Sequence, residues 1–394
     1  MKVEDVLAPL LEELAGEIEH AVELRHRLHA EPELSHQEHR TVVTVGEALG
    51  RADAERVAAT GLLLPVVRGR GGVVVRAELD GLPIEEETGA PFAAVGGRMH
   101  ACGHDVHMAA LAAVVRAAAR VDLPVPLLAL FQPSEEAYPS GAAEIVEEGA
   151  LREAQVAAVV AAHIHPDVPW GAVSADAGAV NASADNFRIV LEGAGGHAAY
   201  PHRIRDPVLA LSQVVVSLQQ VVSRRIDPMR PVVFSVTQFR AGSAPNVIPD
   251  KAEARGTFRV LDRGDRKALI AAVEEVVEHT ARAHGCTARV EVSEGEPAVV
   301  NDPGLAEAAR RALREVGFEV GPTMRSCGSD DFGYYQEVAP TLMLFVGLGG
   351  GGKEEVRPLH HPAFLPPDEA VEAVARAQAA AYAAAAAALV GTEG

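Results

Sequence analysis

The segment from Val106 to Ala162 contains VHMAALAAVVRAAA at 106–119, VPLLALF at 125–131, GAAEIVEEGAL at 141–151 and VAAVVAA at 156–162. The first and third pieces carry helical patterns. The second and fourth are short apolar runs bounded by turns, the pattern of strands buried on both faces. Strands alternating with helices predict an α/β sheet with parallel strands. Upstream, Leu62–Val67 and Val73–Leu79 are two further strand runs, and Arg68-Gly69-Arg70-Gly71-Gly72 between them predicts a hairpin. The first fifty residues read as helices broken at Glu31-Pro32-Glu33.

The pattern changes near Asn181. From there to about Glu294 the order is strand, helix, strand, strand, helix, strand. The strands are Asn186–Glu192, Val232–Arg240, Ala252–Val260 and Ala288–Val292, and the helices Pro207–Arg224 and Arg263–His284. That order suits a small sheet with two helices on one face, an α+β sandwich of the ferredoxin-like kind. After Asn301-Asp302-Pro303 the first pattern resumes. The expected organisation is therefore a discontinuous, mixed but mainly parallel α/β domain (1–180 and 295–394) with an α+β domain (181–294) inserted in it.

Composition limits the partners. At 394 residues the chain exceeds a single ordinary core. Its 35 Lys and Arg against 55 Asp and Glu give a formal charge of −20. That field repels nucleic acid and anionic membrane surfaces. Val3, Val6, Leu7, Leu10, Leu11 and Leu14 form a helical pattern among acidic residues, without the basic start and apolar block of a secretion signal. The Ala-rich stretch Ala379–Val390 is shorter than a membrane span and reads as a packing helix. Cys102, Cys286 and Cys327 cannot all pair, so a reducing cytoplasm is the expected compartment.

Sixteen histidines are informative only where they cluster. His20, His26, His29, His36 and His39 lie on polar helical stretches and read as solvated surface. Met99-His100-Ala101-Cys102-Gly103-His104-Asp105-Val106-His107 is different. Gly103 lets the backbone turn so that Cys102 and His104 can face one ion, the alternative being a buried cysteine beside a capping histidine. Phe131-Gln132-Pro133-Ser134-Glu135-Glu136 sets two carboxylates just beyond a strand; one can ligate metal while the other acts as base, or both can be surface acids. A third strand runs into His163-Ile164-His165-Pro166, and Leu359-His360-His361-Pro362 adds two imidazoles. Ligands of parallel sheets gather beyond the carboxyl ends of strands. Cys102, His104, Glu136, His163 and His360 would all lie there, and five donors exceed one tetrahedral zinc, which points to two adjacent metals.

These motifs, in this order, resemble the metal-dependent aminoacylase and carboxypeptidase family. The similar branch contains hippurate hydrolases, N-acyl-amino-acid amidohydrolases and indoleacetyl-amino-acid hydrolases. Further matches are Leu28-His29-Ala30-Glu31-Pro32-Glu33-Leu34-Ser35, Arg76-Ala77-Glu78-Leu79-Asp80-Gly81-Leu82-Pro83, Gly195-Gly196-His197-Ala198-Ala199-Tyr200-Pro201-His202 and Pro245-Asn246-Val247-Ile248-Pro249. The resemblance implies metal ligation by Cys102, His104, Glu136, His163 and His360. It implies Glu135 as general base and acid, and Asp80 as a carboxylate holding a ligand in place. His197 would stabilise the oxyanion, and Asn246 and Arg259 are candidates for the substrate carboxylate. The inserted domain would pair two chains in a homodimer, so that His197 serves the partner's site. Two positions depart from the branch, Glu78 where Asp is usual and Asp330 where Glu is usual.

The implied reaction is cleavage of the amide bond of N-acyl amino acids by a metal-bound hydroxide. A cysteine ligand favours a borderline or soft metal such as zinc over magnesium, with manganese, cobalt or nickel as the alternatives. The rivals are a carboxypeptidase or dipeptidase, a non-catalytic metal or small-molecule binding protein, and a cysteine hydrolase using Cys102 or Cys327. Gly347-Leu348-Gly349-Gly350-Gly351-Gly352-Lys353 imitates a phosphate loop, but no Ser or Thr follows the lysine and no helix is offered.

Overall fold

The structure, a computed structural model, describes residues 2–51, 54–67, 69, 71–350 and 357–391. The chain divides into two compact units. One comprises residues 1–180, 300–324 and 331–394, the other residues 181–299 and 325–330.

In the larger unit an eight-stranded sheet forms the frame. Its order is Glu55–Val57, Gly61–Pro65, Leu127–Gln132, Val73–Glu78, Ala158–Pro169, Thr341–Gly349, Ala172–Ser174 and Glu319–Val320. The four central strands, from Leu127–Gln132 to Thr341–Gly349, run parallel; antiparallel pairings occur towards both edges. Every residue of Val73–Glu78 and of Leu127–Gln132 is buried. This explains why these segments are nearly continuous in apolar residues instead of alternating. The helix His104–Ala118 is buried except at Arg116. The helix Glu369–Gly391 packs against it, and its alanines from Ala379 to Ala386 are fully buried members of the core. It is long and apolar enough to cross a membrane, yet two-thirds of its most apolar stretch is buried in this unit. Small side chains suit it to close helix packing.

The hairpin expected between Leu62–Val67 and Val73–Leu79 does not form. Leu127–Gln132 lies between the two strands, antiparallel to the first through Leu63 and Leu130 and parallel to the second through Val75 and Ala129. Both ends of the connection are tied to the start of that inserted strand. Val66 and Val67 N–H donate to Leu127 O, and Val73 N–H donates to Pro126 O. The glycines serve a close crossing here: a Cβ on Gly72 would lie 2.7 Å from Pro126 O. Two of the residues behind the hairpin expectation, Arg68 and Arg70, fall outside the described residues, as do Gly351, Gly352 and Lys353 of the phosphate-loop mimic.

The smaller unit carries a four-stranded antiparallel sheet ordered Val232–Ala241, Lys251–Val260, Asp185–Glu192, Thr287–Ser293. Helices Pro207–Arg225 and Arg263–Ala283 contribute Leu211, Val214, Leu218, Leu269, Val273 and Val277 to one core with Phe187, Ile189, Ala254 and Phe258 of the sheet. Asp206 accepts from Val208 and Leu209 N–H, and Asp262 from Gly264 and Asp265 N–H. Each such cap stabilises its helix by about 1 kcal/mol. These caps begin both helices sharply, the first with Pro207 in its first turn.

Candidate metal centre

Three connections deliver polar side chains to the carboxyl ends of the parallel strands. Val73–Glu78 leads to Asp80, Leu127–Gln132 leads to Glu135 and Glu136, and Ala158–Pro169 carries His163. The fourth contributor is the turn of Cys102 and Gly103 that opens the buried helix at His104. Donor atoms of Cys102, His104 and Glu136 lie within 4.8 Å of one another. Cys102 Sγ is 3.6 Å from His163 Nε2, and His104 Nε2 is 3.9 Å from Glu135 Oε2. His360 Nε2 is 3.3 Å from Glu136 Oε1. Its loop is anchored by its own N–H on Ala101 O, at a positive φ of 64° that a non-glycine residue adopts only when its surroundings enforce it. The structure thus brings together all five residues proposed as ligands, with Glu135 beside them.

Hydrogen bonds fix which ring nitrogen each histidine offers. His104 Nδ1 donates to Asp80 O at 2.8 Å, and His163 Nδ1 donates to Ile164 O at 2.6 Å. Both rings therefore turn Nε2 toward the cluster, the nitrogen that a ligating imidazole offers once it carries no proton. His104 Nε2 and Asp80 Oδ1 are buried without a hydrogen-bond partner, and Glu136 Oε1 has none beyond the ion-pair approach of His360 Nε2. Buried polar atoms are rarely left so, and a cation satisfies lone pairs that no donor reaches. Asp80 Oδ2 also accepts from Ser35 Oγ and from Glu136 N–H, so Asp80 braces His104 through its backbone carbonyl and Glu136 through its carboxylate.

The electrostatics favour a positive charge at the same point. Burial raises the Cys102 thiol well above its ordinary pKa, and the carboxylates of Glu136, Glu135 and Glu78 raise it further. An uncompensated thiolate is thus disfavoured, which counts against a cysteine hydrolase built on Cys102 and makes a neighbouring cation the natural source of a thiolate there. Burial lowers the pKa of His104, but Glu78, Asp80 and Glu136 outweigh it and raise it to about 10. His163 is driven the other way by burial and by His107, well below its ordinary value, so its ring is neutral. A cation in the cluster would take the place of the His104 proton, and a soft thiol, imidazoles and carboxylates form a donor set that fits divalent transition metals.

The turn between Cys102 and His104 has one permissible residue. Gly103 has φ of +83°, and a Cβ there would lie 2.2 Å from Ile164 Cδ1. Gly103→Ala is expected to destabilise the fold by roughly 2 kcal/mol through backbone strain and overpacking. It should also lower metal content, because Cys102 and His104 flank the displaced backbone. Denaturant unfolding and elemental analysis check both; an unchanged metal content in a folded Gly103→Ala chain would contradict this account of the turn.

Several functional contacts have no signal in the local sequence. Glu78 is a buried carboxylate bonded to Arg76 and to His107 Nδ1–H; Arg76 also donates to Gln132 and Asp331. Tyr335 and Ser140 hydroxyls donate to Gln132 and Asp331, completing a buried polar network behind the ligands. Glu78, His104, His107 and His163 also form a compact group. His107 is not available as a ligand there, because Nδ1 donates to Glu78 and Nε2 accepts from Ile164 N–H. His29 corrects the surface reading: it is fully buried between Asp105 and Glu86. Burial opposes its charge, but the two carboxylates raise its pKa to about 9.

The remaining candidates lie in the smaller unit. His197 is exposed on the short strand Gly196–His197, opposite Val247, and Ala198 N–H donates to Asn246 O. His197 Nδ1 accepts from Ala199 N–H, which leaves Nε2 to carry the proton. Arg259 donates to Ser329 Oγ at 2.9 Å instead. His197 and Asn246 therefore share one corner, and Arg259 is held by the 325–330 segment. Asp330 belongs to that same segment and is buried.

Comparison with known proteins agrees with this chemistry. The profile of peptidase family M20/M25/M40 matches residues 74–384. The chain is 37% identical over 359 residues to an N-acetylcysteine deacetylase of Bacillus subtilis, covering 89% of this chain and 92% of that protein. It is 33% identical over 367 residues to an N-acetyldiaminopimelate deacetylase of Bacillus licheniformis, covering 91% and 96%. Among solved structures, a Bacillus subtilis protein described as a dinuclear metal binding peptidase from the M20 family superposes with a TM-score of 0.80 at 32% identity, covering 94% of this chain and 98% of that one.

Proposed function

The chain belongs to peptidase family M20/M25/M40, a metal-dependent hydrolase of amide bonds, and on that premise we propose that it removes the acyl group from N-acyl amino acids. The observation that carries the reading is Glu135, 3.9 Å from His104 Nε2 at the edge of the Cys102, His104, Glu136, His163 and His360 cluster. A binding protein has no use for a second carboxylate at that point. We assign the five clustered residues to two divalent transition-metal ions, of zinc, manganese, cobalt or nickel character. When bound, these polarise the amide carbonyl and acidify water.

The protein's own groups do the rest. Glu135 takes the proton of the attacking water and passes it to the leaving amine nitrogen, so one carboxylate acts as base and then acid. Asp80 holds His104 and Glu136 in register through the contacts described above. Charge developing on the acyl oxygen needs a donor that acts more strongly in the transition state than on the substrate. His197, with its proton on Nε2, is suited to that task. We place it in the partner's active site of a homodimer formed through the smaller unit, with Asn246 and Arg259 toward the substrate carboxylate. The unpaired thiols of Cys102, Cys286 and Cys327 suit a reducing compartment, and we assign the enzyme to the cytoplasm.

Two experiments test this reading. On a panel of N-acetyl-amino acids, hippurate, indoleacetyl conjugates and dipeptides, the acyl amino acids should be cleaved; hydrolysis of dipeptides alone would establish a peptidase instead. For the dimer, Glu135→Ala and His197→Ala chains are each expected to be nearly inactive and to recover activity when co-expressed. Random pairing makes half the dimers mixed, with one intact site in two, so about a quarter of wild-type activity should return. No recovery in purified mixed dimers would reject the exchange of His197.

A further inference from the structure

We propose that Glu78 and His107 are positioning residues: together they clamp the Ile164 peptide and thereby set the geometry of Cys102, His104 and His163. The inference rests on the assignment of those three residues as metal ligands. Glu78 Oε2 accepts from His107 Nδ1–H at 2.9 Å, and His107 Nε2 accepts from Ile164 N–H at 3.1 Å. One proton location satisfies both bonds, and Glu78 selects it. Glu78 is itself held by Arg76, and although burial opposes its charge, the Arg76 guanidinium keeps its pKa well below the ordinary carboxylate value.

Ile164 is where the centre converges. Its side chain lies under Gly103, the turn separating Cys102 from His104, so closely that no Cβ fits between them. Its carbonyl accepts the Nδ1 proton of His163 and so directs His163 Nε2 toward Cys102 Sγ. Its N–H is the group that His107 holds. The His107 ring packs 4.5 Å from that of His163 and 5.7 Å from that of His104, centroid to centroid. A shift of the Ile164 peptide therefore moves one ligand directly and presses on the turn that carries the other two. Partners that orient ligands in this way commonly influence metal affinity by 10–100-fold.

The test compares three substitutions. Gln at 107 keeps an acceptor near the position of Nε2, Asn keeps a donor near Nδ1 only, and Leu keeps neither. Wild-type, His107→Gln, His107→Asn and His107→Leu chains are loaded with zinc and dialysed against graded chelator, with zinc per chain and thermal midpoint recorded. His107→Leu and His107→Asn are expected to release zinc at 10–100-fold lower chelator, and His107→Gln to stay nearest the wild type. Zinc retention that simply follows the thermal midpoint, or His107→Asn outperforming His107→Gln, would overturn the proposal. Nitrogen NMR of wild-type chain labelled at histidine gives a reading that needs no variant to fold. His107 should be protonated on Nδ1 alone, and a proton on Nε2 would exclude the clamp whatever the metal content. A wild-type chain that takes up no zinc, by contrast, would remove the ligand assignment while the tautomer still decides the clamp.

Discussion

Glu135→Gln lowers kcat by about 10²–10⁴-fold while the purified chain keeps its full metal content; this is the result expected if Glu135 is the proton carrier. The substitution preserves size and shape but removes the basic lone pair. Its neighbour Glu136 belongs to the compact donor group with Cys102 and His104, whereas Glu135 approaches only its edge. Metal content and rate should therefore separate in this variant. Since proton transfer belongs to the chemical step, the loss should fall mainly on kcat, with KM much less affected. Near-normal turnover in a folded, metal-loaded Glu135→Gln chain would require another base.

His104→Ala and His163→Ala should behave in the opposite way, losing metal and activity together. His104 is the larger loss, because its Nε2 faces the cluster and its Nδ1 proton is spent on Asp80 O. Removing it takes away a donor and a neighbouring positive charge, and leaves Glu135 and Glu136 to repel each other. Activity should fall below detection, and metal per chain by at least one equivalent. Added metal should not restore the rate, as it would if affinity alone had weakened slightly. A His104→Ala chain with wild-type metal content would remove His104 from the ligand set.

Much of this was legible in the sequence because the chemistry sits in short motifs at strand ends. Cys102-Gly103-His104 carries its own geometric requirement, and the positive φ and the 2.2 Å approach to Ile164 show why glycine stands there. The secondary elements of the smaller unit follow from clean alternation and from the caps at Asp206 and Asp262. What was not legible depends on pairings between distant segments. Nothing near Val73 states that Leu127–Gln132 inserts beside it, and a glycine-rich connector between two apolar runs satisfies hairpin chemistry equally well. His29 looks like surface because its helix is polar; its partner Asp105 is 76 residues away. Glu78 registers in the sequence only as an unusual residue, whereas in the structure it reaches both Arg76 and His107. Arg76 and Asp331, 255 residues apart, show the same limit.

The central claim is that catalysis depends on two cations held by this cluster. The most direct measurement is activity on an N-acetyl-amino acid or hippurate as metal is removed and returned, with metal per chain determined by elemental analysis at each point. Chelator dialysis should abolish hydrolysis, and titration with zinc, manganese, cobalt or nickel should restore it, reaching a plateau at two equivalents per chain. Full activity in protein shown to be metal-free would contradict the account.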